Sequence, residues 1–325
     1  MGDVMAESII ELRDVRKTFR VAAKVGRVRR VWHDVHAVDG ISLGIGTGAI
    51  TGYIGPNGAG KSTTIKMVTG ILVPTSGEVR VAGIDPQRNR VEITRRLGVV
   101  FGQRSQLWWD LPLRDSFDLL RHVYRVPAAR HAENVTTFVE LLDMDDFIDT
   151  PVRQLSLGQR MRGELAAALL HDPAILLLDE PTIGLDIVSQ EAVRRFLIEL
   201  NRERGTTVLL TTHDLADVER LCQRLVIIDH GRVIEDDSVE RIKARYGTER
   251  TVVVDLDAPR PPIEVDGATV VKVEGPRQWL RFSRASATAA EIVAAVSARW
   301  EVRDLTVEEP DIDAIVHHIY QRTPS

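Results

Sequence analysis

The nine residues GPNGAGKST set Gly55, Pro56, Asn57, Gly58, Ala59, Gly60, Lys61, Ser62 and Thr63 between a β-like run, AITGYI, and a helix-like run, TIKMVTG. Glycine loses more conformational freedom on folding than any other residue, so three within six positions need a reason. A polyanion supplies one. With no Cβ in the way, the loop's N–H groups can turn toward one point, and the following helix adds the positive end of its dipole. Lys61 brings a mobile charge for the outer phosphates, and Ser62 a hydroxyl for a magnesium ion. The spacing G-x-x-x-x-G-K-S is that of a nucleoside-triphosphate loop. A chance glycine turn before a lysine would explain neither the strand before it nor the helix after it.

Phosphoryl transfer then requires a carboxylate near the metal, a group that orients water, and stabilisation of charge at the γ-phosphate. The run ILLLDEP offers Asp179 and Glu180 at the carboxyl end of an apolar strand, the edge where parallel sheets bind ligands. TTHD repeats this one strand later, and His213 there could donate to the γ-phosphate or hold Glu180 in place. In QLSLGQRMRGELAAALL, Ser156 is placed as the N-cap of a long helix, a second anion-binding helix end. Lying far from the phosphate loop in sequence, it makes most sense against a triphosphate held by another copy of the chain. Two chains head-to-tail would then bury two nucleotides.

The elements that must position these residues alternate. Continuous apolar strands, AILLLD and TTVLLTT, each preceded by a helix, predict a parallel sheet covered on both faces. Upstream, SIIELRDVRKTF reads as a strand ending at Phe19, and SGEVRVAGID and RRLGVVFGQ as further strands. From LPLRDSFDLLRHVYRV onward the pattern is helical, with Leu119, Leu120, Val123 and Tyr124 on one face. After Tyr246 the character changes to a small α+β pattern, closing on a helix whose apolar face is Ile312, Ile315, Val316, Ile319 and Tyr320.

A chain of 325 residues has room for one large domain and a small one. Its 44% hydrophobic and 27% charged residues are ordinary for a globular protein, and a net charge of −5 offers no basic field for nucleic acid. The single cysteine, Cys222, excludes a disulfide within the chain and reads as a small core residue in a reducing compartment. No apolar run is long enough to span a bilayer, and the acidic start lacks the pattern of a signal peptide, so a cytoplasmic location is expected. Between Arg20 and Arg30 stand five basic residues and no acid, fitting either a solvated loop or contact with an anionic membrane surface.

In that order, GPNGAGKST, LSLGQ, ILLLDEPTIGLD and TTHD closely resemble the nucleotide-binding subunit of ABC transporters, over about residues 8–245. The resemblance implies a P-loop NTPase of the α/β class: a parallel-sheet core, an antiparallel β subdomain and a helical subdomain at about 104–165. Residues 246–325 would form the small α+β domain. It implies an ATPase using ATP and Mg2+, with magnesium held at Ser62, Gln103 and Asp179, Glu180 as the catalytic carboxylate, and His213 and Gln103 beside it. The signature residues Leu155, Ser156, Leu157, Gly158 and Gln159 would face the partner copy's ATP, and Asp186 would lie at the dimer seam. Leu157 departs from the family's usual glycine. Phe19 would stack on adenine, with Trp32 as the fallback, and Gln106 is a weaker candidate for the role of Gln103.

FGQRSQLWWDLP and the tail resemble the ATPases of ABC-2-type exporters, whose permeases are separate chains. The resemblance thus implies attachment to the cytoplasmic face of the membrane through permease subunits. At least one of Trp108 and Trp109 is expected in the groove that receives a permease helix, the other in the core. An importer motor is the main competing reading. A soluble cassette ATPase acting on ribosomes or DNA fits less well, because the chain has one cassette and no sustained heptads. A P-loop kinase leaves the helix end at Ser156 unexplained.

Overall fold

A computed structural model of the chain describes residues 8–25, 29–102, 105–247 and 249–322. Contacts divide it into two compact units, Met1–Asp237 and Ser238–Ser325.

In the first unit β1 (Ser8–Val25), β2 (Arg29–Gly46) and β4 (Ser76–Val81) form an antiparallel sheet in the order β2-β1-β4. The second sheet runs β5 (Leu97–Phe101), β6 (Ile175–Asp179), β7 (Thr207–Thr211), β3 (Ile50–Ile54), β8 (Arg224–Asp229) and β9 (Arg232–Ser238). Its pairings from β5 through β8 are all parallel. Every residue of β3 and β7 is buried, and so is β6 as far as Leu178, which is why β6 reads as an unbroken apolar run up to Asp179. Each leucine or isoleucine sealed here contributes ~1.5–3 kcal/mol. That burial fixes the strand ends, and it sets Asp179 in register with Phe101 on one side and Thr211 on the other, at the sheet's carboxyl rim.

Helices α1 (Lys61–Val68), α2 (Arg90–Arg96), α3 (Leu113–Tyr124), α4 (Ala128–Leu141), α5 (Leu157–Leu169), α6 (Ile187–Arg204) and α7 (Leu215–Leu221) complete the unit. Cys222 follows α7 in the core, and burial pushes its thiol up to about 12.

Two expectations are corrected. On α3 the buried face is Leu113, Ser116, Phe117 and Leu120, whereas Leu119 and Val123 are exposed. Spacings of four and three from Leu113 define a stripe that the tighter cluster at 119–124 obscures. The first strand does not end at Phe19: it continues to Val25 and pairs with β2 down to Val25–Arg29 as a two-stranded ribbon. Charged side chains are tolerated in strands open to solvent, and valines at 21, 25 and 31 suit an extended backbone. The side chains of residues 23–30, which include four of the five basic residues of that run, lie outside the described residues.

The second unit begins with α8 (Val239–Tyr246), followed by β10 (Glu249–Leu256), β11 (Ala268–Glu274), β12 (Arg277–Ser283), α9 (Ala289–Ser297), β13 (Val302–Glu308) and α10 (Ile312–Arg322). Its antiparallel sheet has the order β11-β12-β10-β13. α10 buries Ile312, Ile315, Val316 and Ile319.

In the first unit, His171 stacks on Tyr124 with ring centroids 3.9 Å apart, and its Nε2 donates to the Leu97 carbonyl at 3.0 Å. Its Nδ1 is buried with no hydrogen-bond partner. Burial brings its pKa from 6.5 down to about 4, against weaker opposition from the Leu97 bond and Asp172. The folded chain therefore binds fewer protons than the unfolded one between these values. Stability from this group is full above 6.5 and is lost as pH falls toward 4, by about 3 kcal/mol. Urea midpoints at pH 7.5 and 4.5 check this: His171→Gln should show a smaller fall than the parent, and equal falls would exclude His171 as the cause.

Candidate functional site

The phosphate loop leaves buried β3 at Gly55, where an added Cβ would sit 2.5 Å from the Ile228 carbonyl oxygen. Gly60 closes it at φ 106°, and a Cβ there would lie 2.3 Å from the Ala37 oxygen. Neither position accepts a side chain. As N-cap of α1, Gly60 offers no side-chain acceptor, so the helix's first N–H groups are left for an external anion. The N-caps of α5, α6 and α7 all carry one, from Ser156, Asp186 and Asp214.

Lys61 is buried, and its ammonium donates to the carbonyls of Gly55 at 2.5 Å and Pro56 at 3.2 Å. Burial lowers its pKa, while the nearby Glu180 and Asp179 carboxylates pull the other way. Thr64 braces the turn from behind, donating to Gly60 O at 3.1 Å and accepting from the buried Tyr53 hydroxyl at 3.2 Å. Ser62 Oγ reaches across to Asp179 Oδ2 at 3.2 Å, and Thr211 Oγ1 donates to the other oxygen at 2.5 Å. A hydroxyl and a carboxylate converging this way suit a hard divalent cation.

Glu180 adopts φ 56°, a left-handed conformation that costs a non-glycine residue ~1–3 kcal/mol. Its N–H is held by Thr211 O at 2.9 Å, and its Oε1 lies 2.8 Å from His213 Nε2. A cavity of about 280 Å3 opens at this point, lined by Ser62, Lys66, Phe101, Gly102, Asp179 and Glu180 among others. Segments distant in sequence thus bring Lys61, Ser62, Asp179, Glu180 and His213 to one rim.

The signature segment is organised as a capping box. Ser156 Oγ accepts from Gln159 N at 3.2 Å, and Gln159 Oε1 accepts from Ser156 N at 2.9 Å. Leu157 is partly exposed and packs toward Gly184, whose added Cβ would lie 3.2 Å from its Cδ2. A Cβ on Gly158 would strike Ser189 Oγ at 2.3 Å, and that hydroxyl donates to Asp186 at 2.7 Å. Asp186 caps α6 through Ser189 N, and these bonds hold its carboxyl below the usual range.

Other expectations resolve differently. Gln103 lies outside the described residues. Gln106 is committed to α5, with its N–H on Glu164 Oε2 at 3.2 Å and its amide on Glu164 O at 3.3 Å. Phe19 is half-buried opposite Val35, with Lys17 Nζ 5.2 Å from its ring, whereas Trp32 pairs with Ala22 and carries Arg20 over its ring at 5.8 Å. Phe19 and Trp32 therefore sit on opposite faces of the ribbon. Trp108 and Trp109 are 40% and 54% exposed, so neither joins the core, which takes Leu107 instead.

Three buried charged groups escaped the sequence reading. Glu164 binds Ser105 Oγ as well as Gln106, and burial raises its pKa. Arg194 and Asp217 pair inside the first unit at 2.6 Å. Charged residues in amphipathic helices ordinarily mark the solvated face, and nothing in their spacing distinguished these.

This rim, with an uncapped helix behind a glycine loop, defines a P-loop ATPase. The family pattern described as ABC transporter matches residues 38–183. A daunorubicin resistance ATP-binding protein, DrrA3 of Streptomyces coeruleorubidus, is 32% identical over 92% of this chain and 95% of its own. The NatA ATP-binding protein of Bacillus subtilis is 32% identical over 75% and 94%. A methionine import ATP-binding protein, MetN 2 of Burkholderia pseudomallei, is 36% identical over 67% of this chain and 57% of its own. Among solved structures, a dimeric post-hydrolysis ATP-binding cassette bound to ADP and Pi superposes with a TM-score of 0.61 at 28% identity, over 71% of this chain and 98% of that one. The chain belongs to the ATP-binding proteins of the ABC transporter family, and it is an ABC-type ATPase.

The glycines predict graded effects. Gly60→Ala should weaken ATP binding at least about tenfold, ~1.4 kcal/mol. Gly58→Ala should cost less, because an added Cβ there meets nothing within 4 Å. Titration with a fluorescent ATP analogue checks this, and equal affinities would contradict the steric account.

Proposed function

We propose that this chain is the ATP-hydrolysing motor of an exporter, working as a head-to-tail dimer on separate permease subunits. The observation that carries this is the convergence of Lys61, Ser62, Asp179, Glu180 and His213 at the rim, with Glu180 held 2.8 Å from His213 in a strained backbone. Lys61 would leave its carbonyl partners for the β- and γ-phosphates, while backbone N–H groups of the loop over 55–63, which Pro56 lacks and Ala59 spends on the Pro56 carbonyl, cradle them. Ser62, Asp179 and Gln103 would hold Mg2+, which neutralises phosphate charge when bound. Glu180 would orient and polarise the attacking water, and His213 would hold Glu180 and donate toward the γ-phosphate. At the start of α5, within Leu155, Ser156, Leu157, Gly158 and Gln159, the N–H groups of Leu157 and Gly158, which the capping box does not use, and the Ser156 hydroxyl would face the partner copy's γ-phosphate. Leu157 costs that role nothing essential, since its backbone still donates and its side chain is drawn toward Gly184. Asp186 would sit at the seam.

Export is favoured by the reach of the similarity. The match to the drug-resistance protein runs through most of this chain and of its own length, whereas the methionine import relative shares about two thirds of this chain. A Nod factor export ATP-binding protein of Paraburkholderia xenovorans is also 37% identical over 66% of this chain. The cassette would span residues 8–245, with 246–325 an accessory domain. Among the described residues no helix is long and apolar enough to cross a membrane, which suits attachment at the cytoplasmic face through permeases. The exposed Trp108 and Trp109 are suited to anchor that contact, and the basic ribbon to lie near anionic lipid.

Glu180→Gln should keep ATP binding, lose hydrolysis by more than about a hundredfold and trap an ATP-dependent dimer. Light scattering with saturating ATP reads this out, and a monomer would remove the composite-site mechanism. Replacing Trp108 and Trp109 with alanine should reduce co-purification with the permease subunits proposed as its partners; undiminished recovery with both variants would place the contact elsewhere.

A further inference from the structure

Arg194 lies on α6 and Asp217 on α7, and both are buried, the aspartate completely. Arg194 Nε donates to Asp217 Oδ1 at 2.6 Å, and a terminal nitrogen of the same guanidinium donates to Asp214 Oδ2 at 3.1 Å. Asp217 Oδ2 accepts from Thr182 Oγ1 at 2.5 Å and Thr212 Oγ1 at 3.2 Å. Thr212 Oγ1 in turn accepts from Asp214 N at 2.9 Å. Glu191 adds a longer ion pair to Arg194 at 3.7 Å.

His213 stands between the two residues that this cluster grips, Thr212 and Asp214. Thr182 belongs to the turn that leaves Glu180 and leads to Asp186. A buried ion pair of this kind is a poor source of net stability, because desolvation offsets most of the attraction. What it does supply is geometry: the guanidinium fork ties α6 to Asp214 and Asp217 beside His213, and the Asp217 carboxylate, met by three donors, joins that segment to Thr182.

We propose that Arg194 and Asp217 are positioning residues for ATP hydrolysis, locking the His213 loop to the Glu180–Asp186 turn so that the 2.8 Å contact between His213 and Glu180 is preset. This rests on the hydrolytic reading of that rim given above. Through Thr182 the same lock connects His213 to the segment proposed for the dimer seam. A change at one seam would then reach the histidine of the same subunit through rigid bonds.

Arg194→Lys tests this, because it keeps the charge and can satisfy only one of the two aspartates in place of the fork. Its kcat for ATP should fall at least about tenfold with KM for ATP nearly unchanged, since the phosphate loop is untouched. The melting temperature, recorded alongside, should stay near that of the parent chain. A cycle with His213→Ala then separates the roles. If Arg194 acts through His213, adding Arg194→Lys to His213→Ala produces little further loss in kcat. Losses that multiply, or an unaltered kcat in Arg194→Lys, would overturn the proposal. Should Arg194→Lys unfold, Thr182→Val, which removes one donor to Asp217, replaces it in the cycle with the same expectations. Failure of the underlying reading would look different: His213→Ala alone would then hydrolyse ATP at the parental rate.

Discussion

The carboxylate of Asp179 is a negative charge that the protein brings to the end of a buried strand and leaves for something else to neutralise. Its oxygens accept from two hydroxyls, Ser62 and Thr211, and among the described residues no guanidinium or ammonium pairs with it. The ammonium that is near, Lys61, is held by carbonyls in a loop built to receive anions. Such an arrangement is costly in an empty site and favourable when a cation and phosphates arrive together. The rest of the cassette follows from that demand. The strands on either side of β6, β5 and β7, must run parallel to it so that their ends align, and the glycine loop must approach without side chains.

Around this centre two buried acids tie loops near the rim to the elements behind them. Glu164 fastens Ser105 and Gln106 to α5. Asp217 fastens the turn after Glu180 to the His213 loop. Low exposure makes these bonds strong and slow to exchange with water, so the loops at the rim are held by the helices behind them and not by each other alone.

Much of this was legible in the chain because the chemistry constrains residue type tightly. Gly60 at φ 106° against Ala37 tolerates nothing larger, and Ile175–Leu178 could be apolar throughout only if covered on both faces. The composite pattern of loop, strand-end acids and histidine therefore identified the fold and pointed to the strand ends that meet at the rim. What stayed hidden depends on partners distant in sequence. Arg194 looks like any helix-surface arginine until Asp217 and Asp214 are placed beside it. Leu119 and Leu113 look alike in composition, and only packing decides which is buried. The β1–β2 ribbon was missed because its basic residues resemble a solvated loop, while pairing between strands is a long-range matter.

The missing side chain at Gly158 has a mechanical consequence. Its α-carbon rests so close to Ser189 that the start of α5 and the start of α6 meet with no cushioning between them. At the other end of α5, Gly98 of β5 comes as close to the Ala168 carbonyl, where an added Cβ would lie 2.4 Å away. Clasped near both ends, α5 carries Glu164 and the segment that it holds as one piece with the strand core.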